Sequence, residues 1–133
     1  MIADSIRERI LGWIQNDREA LVAFLAHFVA IPSPNPPGDT RQAAQFLHSH
    51  LDAPGVPAEI RSAKPDLPNI VGTFGKAGPH LVLNGHIDVF PAGSAESWSR
   101  DPWSGAVADG RVHGRGVADM KCGTAASVWT TIY

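Results

Sequence analysis

Apolar residues recur at three-to-four spacing from near the start of the chain. Ile6, Ile10, Trp13 and Ile14 form one stripe, and Leu21, Phe24, Leu25, Phe28 and Val29 form a second. That period predicts helix over Ser5 to Ile31. Asn16 and Asp17 stand between the stripes, so the stretch is either one bent helix or two, with the Asp17 carboxylate available to cap the second. Pro32, Pro34, Pro36 and Pro37 then remove too many backbone donors for helix or sheet, and the segment from Ile31 to Gly38 is predicted to be a loop. A further helix is expected from Asp39 to about Leu51. Asp39 or Thr40 would cap it, Ala43, Phe46, Leu47 and His50 would form one face, and Pro54-Gly55 would stop it.

Beyond Gly55 the pattern changes to short runs rich in branched residues and bounded by Pro or Gly. Strands are predicted at Ala58 to Ser62, Asn69 to Phe74 and His80 to Asn84. The third contains the continuous apolar run Leu81-Val82-Leu83, which suits a strand covered on both faces. Residues Phe90 to Gly105 read as a structured loop around Trp98 and Trp103. Val107 to His113 reads as a hairpin turning at Asp109-Gly110, and a last helix begins near Asp119 and contains Ala125, Ala126, Val128 and Trp129. Helices flanking short strands predict an α/β class, a partial sheet with flanking helices. The strands lack the elements needed to cover both faces, and the last helix has no stop signal before Tyr133. Residues 1–133 are therefore expected to be part of a larger domain. No repeat or linker marks a second one.

A composition of 44% hydrophobic and 18% charged residues is that of a globular domain and excludes a disordered chain. The net charge is −2 with Lys and Arg scattered, which gives no footprint for nucleic acid or an anionic membrane surface. A small molecule or peptide is the expected partner. The longest apolar run, Ala20 to Ile31, is broken by His27 and is well short of the ~20 residues of a membrane span. Met1 to Arg9 mixes Asp4 and Glu8 with Arg7 and Arg9, so no signal peptide is read there and a cytoplasmic location is expected. A single cysteine, Cys122, excludes an internal disulfide framework.

Candidate chemistry gathers in two stretches. In Leu81-Val82-Leu83-Asn84-Gly85-His86-Ile87-Asp88, a buried strand would present His86 and Asp88 at its end, where ligands often sit. Residues two apart on extended backbone point the same way, so the Asp88 carboxylate is placed to accept the imidazole N–H and make the other ring nitrogen a better metal ligand. The ordinary alternative is a strand-end histidine beside a turn aspartate. Asp119 stands where a loop becomes a helix, a position at which helix capping is the commonest role, and capping leaves carboxylate oxygens free for a cation. Gly114, Gly116 and Gly123 let the backbone there pass close to other groups.

Taken in order, Gly85-His86-Ile87-Asp88-Val89-Phe90-Pro91, Trp98, Asp101-Pro102-Trp103-Ser104-Gly105, Asp109-Gly110, Gly114-Arg115-Gly116 and Asp119-Met120-Lys121 resemble the M20 metallopeptidase and deacylase family. That family includes acetylornithine deacetylases, succinyl-diaminopimelate desuccinylases, aminoacylases and carboxypeptidases of the G2 type. Ile31-Pro32-Ser33 and Asn35-Pro36-Pro37-Gly38 are similar to the family's first loop, so the resemblance covers nearly the whole chain after about Arg18. It implies the amino-terminal part of a zinc-hydrolase catalytic domain. His86 would bind one metal, Asp88 would be the acidic residue holding the His86 ring, and Asp119 would bridge two metals, followed by a cis peptide to Met120. The implied cofactor is Zn2+, two per complete site, with Co2+ or Mn2+ as alternatives. The implied substrate is an N-acyl amino acid or small peptide, and the implied parent is a homodimer.

Two departures qualify the resemblance. Cys122 stands where the family usually has Gly, and it is expected to pack silently as a small hydrophobe rather than serve as a soft ligand. The family's glutamate pair, one a general base and one a ligand, should follow Asp119, whereas the chain's glutamates are Glu8, Glu19, Glu59 and Glu96. The chain is thus expected to lack the base, the remaining ligands and the lid domain. The competing reading is a catalytically silent truncated module with weak or no metal binding. His27, His48, His50 and His80 read as structural. His113 either approaches the Asp119 segment or belongs to the surface hairpin.

Overall fold

A computed structural model describes residues 4–75 and 77–133. The first three residues of the stretch read as lacking a signal peptide lie outside this description. Helix α1 (Asp4–Asn16) and helix α2 (Arg18–Ala30) divide at Asp17. The backbone hydrogen bonds Asp17 N to Trp13 O and Leu21 N to Asp17 O carry the chain across the break at 2.9 and 2.8 Å. The Asp17 carboxylate does not cap α2. It accepts instead from the Tyr133 hydroxyl at 3.1 Å, a partner too distant in sequence for local pattern to anticipate.

Helix α3 (Arg41–Asp52) starts just after the predicted cap. The Thr40 side chain leaves the helix end uncapped, while Asp39 Oδ1 accepts the Arg41 N–H at 3.2 Å. Gly55, with φ +80, completes the stop as Val56 N reaches back to Leu51 O at 3.0 Å. Helix α4 (Cys122–Ile132) is preceded by a wide turn at Val117–Lys121. The core lies where α2, α3 and α4 meet. Phe24, Phe28, Ala43, Leu47, Leu51, Val56, Ala125 and Val128 form one buried cluster, and Phe46 and Trp129 pack against it. No residue of α1 is buried, so its stripe of Ile6, Ile10, Trp13 and Ile14 faces solvent.

The strands form two antiparallel pairs. Strand β1 (Ala58–Arg61) pairs with β2 (Asn69–Gly72) in the register Ala58 with Gly72 and Ile60 with Ile70, and this hairpin packs on α3. Strand β3 (Val107–Ala108) pairs with β4 (Arg111–Val112) across Asp109 and Gly110. Their φ values of +53 and +71 suit the predicted tight turn. The class is mixed α/β, as the sequence predicts.

The third predicted strand does not form. His80 to Asn84 has no strand partner among the described residues, and Leu81 and Val82 are 85% and 78% exposed. A strand needs a hydrogen-bonded neighbour, and an apolar run needs a covering layer; the described residues supply neither to this segment. Pairing resumes at Val89, which forms a parallel bridge with Pro34.

Candidate functional site

Three side chains and a backbone pairing fasten the segment that carries His86 and Asp88. The buried Ser33 hydroxyl donates to Ile87 O at 2.7 Å. Asn35 Nδ2 donates to Asp88 Oδ2 at 2.9 Å. Thr124, on the first turn of α4, donates to His86 O at 2.9 Å. Val89 exchanges backbone hydrogen bonds with Ser33 and Asn35, both at 2.9 Å, and its own side chain is buried.

The segment carrying Asp119 is shaped differently. Asp119 and Met120 leave helical dihedrals, at φ −127, ψ 97 and φ −131, ψ 37, and the peptide between them is cis, as the family resemblance implies. The backbone closes the turn with wide hydrogen bonds, from Lys121 N to Gly116 O at 2.9 Å and from Cys122 N to Val117 O. Gly116, at φ +76, has no room for a side chain, since a Cβ there would stand 2.1 Å from Val89 Cγ1. The two candidate segments therefore touch through Gly116 and Val89.

His86 and Asp119 come together, with Nε2 and Oδ1 3.1 Å apart. The Asp119 side chain is 91% exposed, and among the described residues no backbone N–H of its own turn donates to it. The other ring nitrogen departs from the predicted pattern. His86 Nδ1 lies 2.8 Å from the backbone carbonyl of Asp88, whereas the Asp88 carboxylate is farther off at 3.4 Å and is engaged by Asn35. The nearer partner of the ring is thus the Asp88 main-chain carbonyl rather than its carboxylate. The Asp88 carboxylate is meanwhile engaged by Asn35 at 2.9 Å.

Both ring nitrogens thus face acceptors. A neutral imidazole carries one N–H, and a carbonyl can only accept, so Nδ1 holds that proton and Nε2 presents a lone pair to the Asp119 carboxylate. The arrangement is satisfied by a second proton or by a cation. In keeping with this, the pKa of His86 is raised, first by the Asp88 carbonyl, against an opposing push from burial, and further by Asp119. One imidazole and one carboxylate are a suitable start to a divalent metal site, though a catalytic zinc site takes about three protein ligands. Among the described residues no group of three or more His, Cys, Asp or Glu side chains converges.

Lys121 is the residue that sequence reasoning left without a role. It is fully buried, and its Nζ donates to Phe28 O at 2.8 Å and Ile31 O at 2.7 Å. Burial pushes its pKa down to about 8. The two carbonyls and the Phe28 ring, 4.8 Å from Nζ, act the other way and favour the ammonium. Lysine is almost never buried without such partners, but they lie some ninety positions away and no local signal marks them. Cys122 is exposed, with Sγ 3.6 Å from Ala118 O, so it does not pack as a buried small hydrophobe as expected.

The remaining candidates stay in the framework. His113 Nε2 lies 3.3 Å from Ala108 O, within the hairpin. His27 and His50 both pack on Phe46, and His48 Nε2 meets Ala58 O at 3.1 Å. Trp98 Nε1 donates to Ala92 O at 2.8 Å beneath the Arg115 guanidinium, bracing the loop as predicted. Trp103 contributes its backbone N–H to Asp101 Oδ1 at 2.9 Å. An open cleft of about 580 Å³ runs beside His86, lined among others by Asn35, Asn84, Asp88, Thr124 and Ser127.

Comparison with known proteins places this geometry in context. The model of Peptidase family M20/M25/M40 matches residues 82–131, the span that holds both candidate segments. The N-formyl-4-amino-5-aminomethyl-2-methylpyrimidine deformylase of Halalkalibacterium halodurans is 35% identical over 130 residues, which cover 94% of this chain and 30% of the relative. Succinyl-diaminopimelate desuccinylases are also similar. That of Methylorubrum extorquens is 42% identical over 94 residues, covering 68% of this chain and 24% of the relative. That of Methylobacterium nodulans is 51% identical over 87 residues, covering 62% and 22%. The chain therefore spans less than a third of the length of the curated relatives it matches.

Proposed function

Starting from a chain whose residues 82–131 belong to peptidase family M20/M25/M40, we propose that residues 1–133 are the amino-terminal part of the catalytic domain of a metal-dependent hydrolase. The bond cleaved is the amide of an N-acyl amino acid or small peptide. Relatives named as a deformylase and as desuccinylases support removal of a small acyl group from nitrogen. No helix among the described residues is long and apolar enough to cross a membrane; the location we propose for the parent is the cytoplasm. We further propose a homodimeric parent.

The observation that carries the reading is the His86 ring, with an acceptor at each nitrogen. His86 and Asp119 would hold zinc, or Co2+ or Mn2+ in its place, with two ions in the complete site. When bound, such an ion supplies Lewis acidity, polarising an amide carbonyl and making water more acidic. Asp88 keeps the proton of the ring on Nδ1 through its main-chain carbonyl and so directs the Nε2 lone pair outward. Asn35 restrains the Asp88 carboxylate, and Thr124 restrains the His86 main chain. The second Asp119 oxygen remains available for a second ion. Relay of the proton to the leaving amine needs a base, and the chain has no Glu after Glu96, so that group would come from the rest of the parent.

The absence of a third converging ligand among the described residues favours a second reading for the isolated chain, a catalytically silent module that binds metal weakly. Calorimetric titration of Zn2+ into the chain and into His86→Ala tests both. The proposed function expects measurable binding that the substitution abolishes. Equal heats from the two proteins would remove His86 from the metal site.

A further inference from the structure

Two chain segments have to meet for His86 and Asp119 to act together, and both are fastened to the carboxyl end of α2. On one side, Ile31 leads directly into Ser33 and Asn35, whose side chains hold Ile87 O and Asp88 Oδ2 at 2.7 and 2.9 Å. On the other, Lys121 reaches the carbonyls of Phe28 and Ile31. Phe28 O, in the last turn of α2, also accepts the Ile31 N–H at 3.3 Å, and Ile31 O lies just past the helix, so this end of α2 offers acceptors that an ammonium can bridge. Phe28 and Val29 are 0% exposed, which makes the anchor rigid. Asp119 itself has no such support. Its carboxylate is exposed, its dihedrals are non-helical, and the regular helix begins only at Cys122.

We propose that Lys121 is a positioning residue for metal binding: by tying the Asp119 turn to the carbonyls of Phe28 and Ile31, its ammonium sets the separation of the Asp119 carboxylate from the His86 imidazole. This inference rests on the reading of His86 and Asp119 as metal ligands. The packing stem of Lys121 is not sufficient for the role, because an apolar side chain of the same length would remove the donor to Ile31 O, leave Phe28 O with only the 3.3 Å bond from Ile31 N, and free the turn to shift.

The test uses this chain in a Cys122→Ser background, with cobalt(II) alone as the probe and absorbance as the signal. Lys121→Met keeps the volume and removes the donor. Its cobalt affinity is expected to fall about tenfold or more, as happens when groups supporting metal ligands are removed, while circular dichroism still reports a folded chain. Lys121→Cys, alkylated with 2-bromoethylamine in denaturant and refolded, rebuilds an ammonium of nearly the original reach and is expected to recover most of the affinity. Parental affinity in Lys121→Met would overturn the proposal, as would a loss that the rebuilt amine does not reverse. Should Lys121→Met fail to fold, Lys121→Leu, which also lacks a donor, takes its place under the same criteria.

If the parent chain binds cobalt no better than His86→Ala, the metal reading fails, and positioning is judged by metal-free amide hydrogen exchange at residues 86–89. Faster exchange there in Lys121→Met, reversed by the rebuilt amine, supports the shared anchor. Unchanged exchange overturns it.

Discussion

The hydroxyl of Thr124 donates to the backbone carbonyl of His86 at 2.9 Å, joining the first turn of α4 to the segment that presents the imidazole. Thr124 is 6% exposed, so water has little access to replace it. Thr124→Val keeps the shape and removes the donor. The expected loss is about 1 to 2 kcal/mol, the usual range for a part-buried carbonyl left unpaired, and Thr124→Ser should recover most of it. Urea unfolding of the three proteins checks this, and a Val variant as stable as the parent would show that His86 O finds another donor.

Gly105 lies against α2, where a Cβ would stand 2.1 Å from the backbone oxygen of Ala26, and its φ of +57 is itself unfavourable for a side chain. Neither obstacle yields easily, since a helix carbonyl is not a flexible side-chain end. Gly105→Ala is expected to cost roughly 3 kcal/mol or more. Gly93 has φ +74 with nothing within 4 Å, so Gly93→Ala isolates the backbone term and should cost only about 1 kcal/mol. Thermal unfolding of both variants separates the two contributions; equal losses would mean that the Ala26 contact relaxes.

Most helices were legible in the sequence because their faces repeat within a few residues. The stripe through Phe24 and Phe28 is the one that is buried, and the turn at Asp109-Gly110 carries its own chemistry. His86 and Asp119 were legible through motif order and spacing, and they do meet. What supports them was not. Asn35 with Asp88, Thr124 with His86, and Lys121 with Phe28 join positions 53, 38 and 93 residues apart, and no local period encodes such pairs. His80 to Asn84 failed as a strand for a related reason. Its apolar run reports the burial it is suited to, whereas pairing depends on a neighbour elsewhere in the chain.

The cluster around Phe46 should make stability sensitive to acid. The pKa of His50 is lowered, first by burial and then by the nearby His27. A histidine whose folded pKa lies below its unfolded value, ordinarily about 6.5, is protonated first in the unfolded chain as pH falls. Stability contributed by neutral His50 is therefore present above that unfolded value and declines as pH drops toward the folded one. His86 acts in the opposite sense: its raised pKa contributes stability at low pH that is lost as pH rises through the folded value. The comparison must isolate His50. Between pH 7.5 and 5.5 (about one unit either side of the ordinary histidine value), Tm of the parent should fall relative to His50→Gln. Parallel Tm curves would sink the assignment.

The exposed run at Leu81 and Val82 has consequences for association. Phe74 and Phe90, on either side of this segment in sequence, are also 77% and 75% exposed. An exposed apolar stretch without a paired neighbour can serve as a template for another chain, and its composition suits β-pairing. Because neither Leu81 nor Val82 contributes to the buried core, charging them removes the hazard without removing packing. Leu81→Lys with Val82→Lys is expected to shift the concentration at which the chain aggregates upward while changing unfolding free energy by no more than about 0.5 kcal/mol. Light scattering against concentration, read beside urea unfolding, distinguishes the outcomes. A large loss of stability would mean that the run is part of the fold rather than an uncovered edge, and unchanged aggregation would point to the stripe of Ile6, Ile10 and Ile14 on α1 instead.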